Sequence, residues 1–458
     1  MYIEQLYTNC LAEAAYYIES DGEAAIIDPL RETEPYIQLA EKRGAKIKFV
    51  LETHFHADFV SGHIDLARQV NATIVFGPKA NTDYKVHNAT DGEELPLGKV
   101  RFRVLHTPGH TPESSCYLLL DEQGKESAVF TGDTLFVGDV GRPDLLDGVI
   151  SPEELASMLF DSLNKKIKTL PDNVIVYPAH GPGSACGKNI GKETHSTIGE
   201  QKKYNYALKT TSREEFIREV TDGILPPPAY FFEDARINKA GYHPIDKVIL
   251  ENKRPLSIAE FKEVLKKGAL LLDTRQPDEF EPGFIPGSLN IGLNGQYAVW
   301  VGTLLDIKMS LVLVTDPGKE EESILRLARI GYENVIGYLE GGITAWDESL
   351  ETVTSITAEQ MKLEMDNGVG ILDVRKPAEW NFSHLKNAQF FPLADMPDNL
   401  KGLDKKKPYI VHCGGGYRSM IAISLMKQKG FKNLINIYGG FGAMLNAGLE
   451  IVSEEVYT

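Results

Sequence analysis

Cysteine is scarce in this chain, with four in 458 residues: Cys10, Cys116, Cys186 and Cys413. Their wide separation excludes a disulfide framework, so reduced thiols are expected. No stretch approaches the roughly 18 uninterrupted apolar residues of a membrane span. The opening MYIEQLYTNCLAEAAYYIES has neither the basic n-region nor the continuous apolar run of a secretory leader. A soluble cytoplasmic protein without membrane association is therefore expected. Positive charge is also in deficit, with 48 Lys and Arg against 65 Asp and Glu for a formal net charge of −17. That balance excludes a broad nucleic-acid-binding face while leaving room for local anion sites. What is present is apolar material: at 42% hydrophobic and 9% aromatic residues, the chain has enough to bury substantial cores. The length suggests about three domains.

Up to about residue 245, strand-like runs (AAYYIES, EAAIIDP, IKFVLET, VRFRVLHT, CYLLLD, AVFTGD, VIVYPAH) alternate with amphipathic stretches such as TEPYIQLAEKRG and SPEELASMLFDSL. The alternation predicts an α/β domain. The Pro cluster ILPPPAYF and the polar ENKRPLS place its end near 245–255. Beyond it the chain repeats itself. LLDTRQPDEF at 271 returns as ILDVRKPAEW at 371, and GYENVIGYLEGG at 331 as GFKNLINIYGG at 430. A period this long marks a duplicated domain rather than a solenoid, whose periods run about 20–50 residues. The expected domains are 1–250, 251–353 and 354–458.

The copies differ at one loop. In the second, the strand YIVH runs into CGGGYRS, placing Cys413 before Gly414, Gly415, Gly416, Tyr417 and Arg418 at the start of a helical stretch. Glycines let successive backbone N–H groups point inward, and the helix N-terminus adds its positive end. Such a cradle stabilises a thiolate, and Arg418 supplies a cation for an anionic sulfur substrate or persulfide. A buried structural cysteine would have no use for three glycines and an arginine. LDVRKPAEW followed by CGGGYR resembles the rhodaneses, sulfurtransferase domains that carry sulfane sulfur as a cysteine persulfide. The four residues between Cys413 and Arg418 fit sulfur better than the five-residue spacing of related phosphatase loops. In the first copy LVLVT runs into DPGKEEES, so Asp316 stands where the nucleophile would be. An inactive rhodanese-like domain is expected there.

In the N-terminal part, LETHFHADFVSGH at 51–63 sets His54, His56 and Asp58 at alternate positions after an apolar run, the spacing that turns three ligands toward one metal pocket. LHTPGHTPESS adds His110, VFTGD adds Asp133 and VYPAHG adds His180, the last two at strand ends. Four motifs in this order resemble the metallo-β-lactamase fold, an αββα sandwich with metals at the strand ends. Phe59 stands where binuclear members such as glyoxalase II carry another His. Relatives of the iron group that retain that His also bind one metal, so Phe59 agrees with a single ion without being its sole cause. His54, His110 and Asp133 then compose the two-His-one-carboxylate facial triad of non-haem iron enzymes. ETHFHADFVSG, HTPGHTPES, FTGDTLFVGDVGRPDL and YPAHGPGSACGK resemble the persulfide dioxygenases. That resemblance implies one Fe(II) per chain on His54, His110 and Asp133, and oxidation by O2 of a low-molecular-weight thiol persulfide to sulfite. His56, Asp58 and His180 become supporting residues, with a ligand role for His56 left open.

Arg142 reads either as a contact for anionic persulfide or as a loop arginine paired with Asp144. Cys186 reads either as a thiol handling sulfur near the metal or as a small buried filler. Cys10 and Cys116 lie in apolar strand patterns and are expected in the core, and Asp28 beneath the metal loops. Asp373, Arg375 and Glu379 have ion-pairing spacing and are expected to hold the rhodanese fold. The fusion implies that sulfite and the outer sulfur of a Cys413 persulfide combine to thiosulfate, in sulfide detoxification. Two other readings stand beside it: a zinc thioester hydrolase of the glyoxalase II kind with accessory rhodanese domains, and a non-enzymatic persulfide carrier or sensor. The thiol carrier and any homo-oligomer are left open.

Overall fold

The computed structural model describes residues 1–146, 148–224, 226–365 and 368–453. The chain forms two compact units, Met1–Val248 with Leu327–Gly331, and Ile249–Arg326 with the chain from Tyr332 onward.

The first unit holds two six-stranded sheets. One runs Tyr2–Thr8, Glu13–Ser20, Glu23–Ile27, Lys46–Glu52, Thr73–Phe76, His87–Asn88 in spatial order. The other runs Ser196–Thr197, Ile175–Pro178, Glu126–Gly132, Ser115–Leu120, Val100–His106, Glu94–Leu97. Their packing follows from the period of two in a strand. Ala14, Tyr16 and Ile18 of the first sheet meet Phe102, Tyr117, Leu119 and Phe130 of the second in one core. The alternate residues Ala15 and Tyr17 face a separate core with Tyr36 and Ala40 of the helix Glu34–Arg43. On the far side Cys116, Leu118 and Leu120 pack with Ala156 and Leu159 of the helix Pro152–Ser162. Two sheets facing each other and helices outside make an αββα sandwich. Each fully buried side chain of this size contributes about 1.5–3 kcal/mol. With both faces of the central strands covered, they read as near-continuous apolar runs. The 152–162 helix starts where Ser151 accepts a hydrogen bond from Glu154 N–H and Pro152 sits at its first position. Cys116 is fully buried, whereas Cys10 is half-buried in the turn between the first two strands and not in a strand as its apolar neighbours suggested.

The second unit contains two five-stranded parallel sheets of identical order. In the first repeat this is Pro255–Leu256, Val335–Leu339, Leu311–Val314, Leu270–Asp273, Leu289–Asn290. In the second it is Thr354–Ile356, Leu434–Ile437, Tyr409–His412, Gly370–Asp373, Gln389–Phe390. The central strands LVLV and YIVH are buried at every residue, as parallel strands covered on both faces must be. Just past their carboxyl ends lie Asp316 and Cys413, where open α/β sheets present their sites.

Candidate metal centre and thiol loop

Three strand ends of the first unit converge on one cluster. The loop after Lys46–Glu52 carries His54, His56 and Asp58; Asp133 follows Glu126–Gly132, and His180 follows Ile175–Pro178. His110 lies on the loop after Val100–His106. All six are buried. Ligand atoms of His54, His110 and Asp133 lie within 4.8 Å of one another, with Asp133 Oδ2 at 3.4 Å from His110 Nε2 and 4.0 Å from His54 Nε2.

The hydrogen bonds around these rings decide which nitrogen is bare. Arg142 O can only accept, so His110 Nδ1–H donates to it at 2.8 Å. The Thr53 hydroxyl donates to Asp28 Oδ2 at 2.8 Å, leaving its oxygen to accept from His54 Nδ1–H at 3.0 Å. In both rings Nε2 then carries the lone pair and has no partner, as do both oxygens of Asp133. Burial first, then the nearby His56, His110 and His180, hold His54 well below the usual imidazole range, in the neutral form a metal requires. Two bare imidazoles and a bare carboxylate aimed at one point fit a divalent transition metal, because buried polar atoms without partners are otherwise costly.

His56 is turned toward acids. Its Nε2 is 3.1 Å from Asp28 Oδ1 and 3.7 Å from Glu52 Oε2, and its ring stacks on Phe59 with centroids 4.3 Å apart. Phe59 is wholly buried and covers that imidazole face with hydrocarbon. Asp28 lies beneath the metal loop and accepts from Thr53 N–H at 2.8 Å. His180 Nδ1–H donates to Ala12 O, and its Nε2 lies 3.3 Å from Asp58 Oδ2 and 3.5 Å from Asp133 Oδ1. Asp58, His180 and Cys186 form a second close group of donors. Burial, followed by Asp58 and Asp133, pushes the Cys186 thiol well up, so its proton stays on sulfur.

Arg142 is engaged locally. Its guanidinium donates to both Asp144 oxygens, at 2.6 and 2.7 Å, and to Ala185 O at 3.1 Å, while its N–H donates to Cys186 O. It stitches the loop that orients His110 to the loop bearing Cys186. The adjoining Gly141 has a reason: a Cβ there would meet Asp133 O at 2.1 Å and His110 Nδ1 at 3.0 Å.

Sequence reasoning missed three supporting residues. Asn238, on the helix Tyr230–Ala240, donates to both His56 O and Phe59 O at 2.8 Å and accepts from Ser61 N–H. Nothing in INKAG marks it. Glu52 accepts from the Ser61 hydroxyl, and burial followed by Asp28 pushes its carboxyl well up. Glu13 is fully buried at a strand start with its carboxyl raised by burial and then by Asp28 and Asp58. An acid inside each of the apolar runs VLETH and LAEAAYY was the available signal.

In the second unit Cys413 is buried at the end of its strand, and Gly416 N–H donates to its Sγ at 3.2 Å. Gly416 has φ +113°, closed to most L side chains, so the loop needs glycine to present that N–H. Ser419 lies 3.7 Å from Sγ, and the helix Tyr417–Gln428 starts directly after the loop. Arg418 forks onto Glu379 at 2.5 and 2.8 Å, which holds that carboxyl below its usual range against the effect of burial. Glu379 therefore positions Arg418, beyond the fold-holding part expected of it. The Asp373–Arg375 pair is buried, at 2.6 Å. Gly414 and Gly415 border the thiol, but the Tyr417 hydroxyl points away and donates to Gly292 O at 2.6 Å.

Residues 8–180 match the metallo-beta-lactamase superfamily, and residues 257–349 and 357–447 each match the rhodanese-like domain. Among curated relatives, a cytoplasmic hydroxyacylglutathione hydrolase of Arabidopsis thaliana is 37% identical over 38% of this chain and 66% of its own length. The mitochondrial persulfide dioxygenase ETHE1 of Bos taurus is 32% identical over 45% of this chain and 74% of its own. The chain thus spans just under two thirds of the plant hydrolase. The crystal structure of a metallo-beta-lactamase from Staphylococcus aureus superposes with a TM-score of 0.66 at 31% identity, over 74% of this chain and 98% of that one.

Proposed function

From a chain that belongs to the metallo-β-lactamase superfamily and carries two rhodanese-like domains, we propose a persulfide dioxygenase joined to a sulfurtransferase. One low-molecular-weight thiol persulfide, one O2 and one water give the thiol, sulfite and two protons. The observation that carries the reading is the bare trio His54, His110 and Asp133. Two nitrogens and one carboxylate, with positions left open, are the donor set of iron(II) oxygenases. An iron(II) ion held there would supply the activation of O2 toward sulfur. The residues of the chain do the rest. Thr53 and Arg142 O keep the ring protons on Nδ1, and Asp28 anchors Thr53. Phe59, packed on the face of His56, brings no donor atom of its own to the pocket.

At the second site, sulfite attacks the outer sulfur of the Cys413 persulfide. The S–S bond breaks, its electron pair returns to Sγ, and thiosulfate leaves. Gly416 N–H and the start of the 417–428 helix receive the charge on Sγ. In the cell this chemistry would remove sulfide in the cytoplasm.

A second reading has its own support. The plant hydrolase is as similar as the dioxygenase, and Asp58, His180 and Cys186 offer a second donor group. Zinc at both groups would make a thioester hydrolase. Metal analysis after anaerobic purification, with O2 uptake on glutathione persulfide, separates the two. We expect about one iron per chain and O2 uptake, both lost in His54→Ala, His110→Ala and Asp133→Ala. Thr53→Val, which removes the hydroxyl between His54 and Asp28 and leaves the three donors in place, should cost about 10–100-fold in metal affinity or rate. Two zinc ions with thioester hydrolysis and no O2 uptake would overturn the proposal.

A further inference from the structure

The first rhodanese-like repeat has no thiol, yet its 287–295 segment is laid along the helix that begins at the active loop of the second. Tyr417, Ser424 and Gln428 are spaced seven and four apart on the Tyr417–Gln428 helix, so they share one face. All three meet that segment. Gln428 donates to Gly287 O at 2.8 Å, Asn290 N–H donates to the Ser424 hydroxyl at 3.0 Å, and the Tyr417 hydroxyl donates to Gly292 O at 2.6 Å. The Tyr417 ring also lies directly over Gly295, where a Cβ would stand 2.3 and 2.4 Å from ring carbons. Only glycine permits that approach. Burial pushes the Tyr417 hydroxyl up, so it remains a donor.

The seat is held from behind. Arg326 donates to Leu293 O and, at 3.1 Å, to Gly295 O, with its guanidinium 5.5 Å from the Tyr297 ring. Two carbonyls of a four-residue turn on one planar fork leave the turn little freedom. Tyr417 itself stands between Gly416, whose N–H reaches Cys413 Sγ, and Arg418, which is locked to Glu379. Displacing Tyr417 moves both the sulfur's donor and the cation.

We infer that the thiol-less repeat is the template of the active loop: its Gly292–Gly295 turn, braced by Arg326, seats Tyr417 and thereby sets the Gly416 N–H and Arg418 around Cys413. Gly295, Arg326 and Tyr417 are positioning residues. The inference rests on reading Cys413 as the sulfur carrier.

The test is Gly295→Ala in the full-length, metal-loaded chain. Three quantities are read: kcat and KM for sulfur transfer from thiosulfate to cyanide, the rate at which iodoacetamide alkylates Cys413 by peptide mass spectrometry, and O2 uptake with glutathione persulfide. We expect kcat and alkylation each to fall about tenfold or more, because displacements near 1 Å cost on that order or above. KM should move little, and O2 uptake should stay at the parental value. Tyr417→Phe, which keeps the ring and loses one hydrogen bond, should show a partial loss of the same two quantities. If Gly295→Ala does not fold by circular dichroism, Arg326→Gln decides, with the same direction expected. Parental kcat and parental alkylation in a folded Gly295→Ala or Arg326→Gln chain would overturn the inference. Should the parent itself transfer no sulfur, the reading of Cys413 fails instead, and alkylation alone judges the template.

Discussion

The two repeats of the second unit share a skeleton and differ in one loop. Each ends a central strand in a buried Asp–Arg pair, Asp273–Arg275 at 2.7 Å and Asp373–Arg375 at 2.6 Å. Each arginine then ties down the chain that follows, Arg275 at Glu279 O and Gly283 O, Arg375 at Ser383 O. Past the neighbouring strand the copies part. In the second, Glu379 is answered by Arg418 beside Cys413. In the first, Glu279 faces Asp316, whose carboxyl is pushed up by burial and then by Glu279. The same acid meets a cation in one copy and another acid in the other. The comparison teaches that one fold, with its buried ion pair kept, tolerates this loop in either form, so the proposed sulfur chemistry is to be sought in the loop and not in the fold.

Breaking the comparison at its centre should have the largest effect. Cys413→Ser makes the second loop as thiol-less as the first, and a hydroxyl cannot hold a persulfide. We expect thiosulfate formation to fall to the uncatalysed background while O2 uptake persists and sulfite accumulates, measured by chromatography beside an oxygen electrode. Thiosulfate at the parental rate would move sulfur transfer elsewhere, with Cys186 the first residue to examine.

A smaller contrast lies one residue earlier, where the second repeat has His412 and the first Thr315. Burial lowers the His412 imidazole to about 4, with Asp373 Oδ2 3.8 Å away opposing it. The unfolded imidazole titrates near its ordinary value, so the unfolded state takes up the proton first. Stability from this group is complete above about pH 6.5, falls as pH drops toward about 4, and is flat below. Between pH 7 and pH 5 the loss should be about 2 kcal/mol. Denaturant unfolding at the two pH values should show this slope in the parent and a weaker one in His412→Gln. Equal slopes would remove His412 as the cause.

The smallest effect is expected at Asp316. Its raised carboxyl means that the folded state disfavours the charge, a cost present at pH 7 and absent near pH 3, where folded and unfolded forms are both protonated. Asp316→Asn should therefore raise the unfolding temperature by roughly 1–2 °C at pH 7 and leave it unchanged near pH 3. Sulfur transfer and O2 uptake should stay at parental rates. Calorimetry showing destabilisation at pH 7, or a fall in either rate, would mean that the first loop has a task of its own.

The chain's residues and their order were enough to show the duplicated domain, the two imidazoles and the carboxylate that converge from positions 54, 110 and 133, and the cysteine loop at 413. These signals are local: an apolar run, then residues whose chemistry has few other uses. What the folded chain alone decided was pairing. That Arg142 ties its loop to Ala185 and Cys186, which imidazole nitrogen of His54 and His110 stayed bare, and where the Tyr417 hydroxyl went all depended on partners that the sequence does not mark. Asn238 reaches the metal loop from 182 residues away, and Tyr417 is seated by a carbonyl 125 residues earlier. A hydrogen bond requires its partners within about 3 Å and aligned. Sequence distance carries no information about that, so a donor's identity was legible while its acceptor was not.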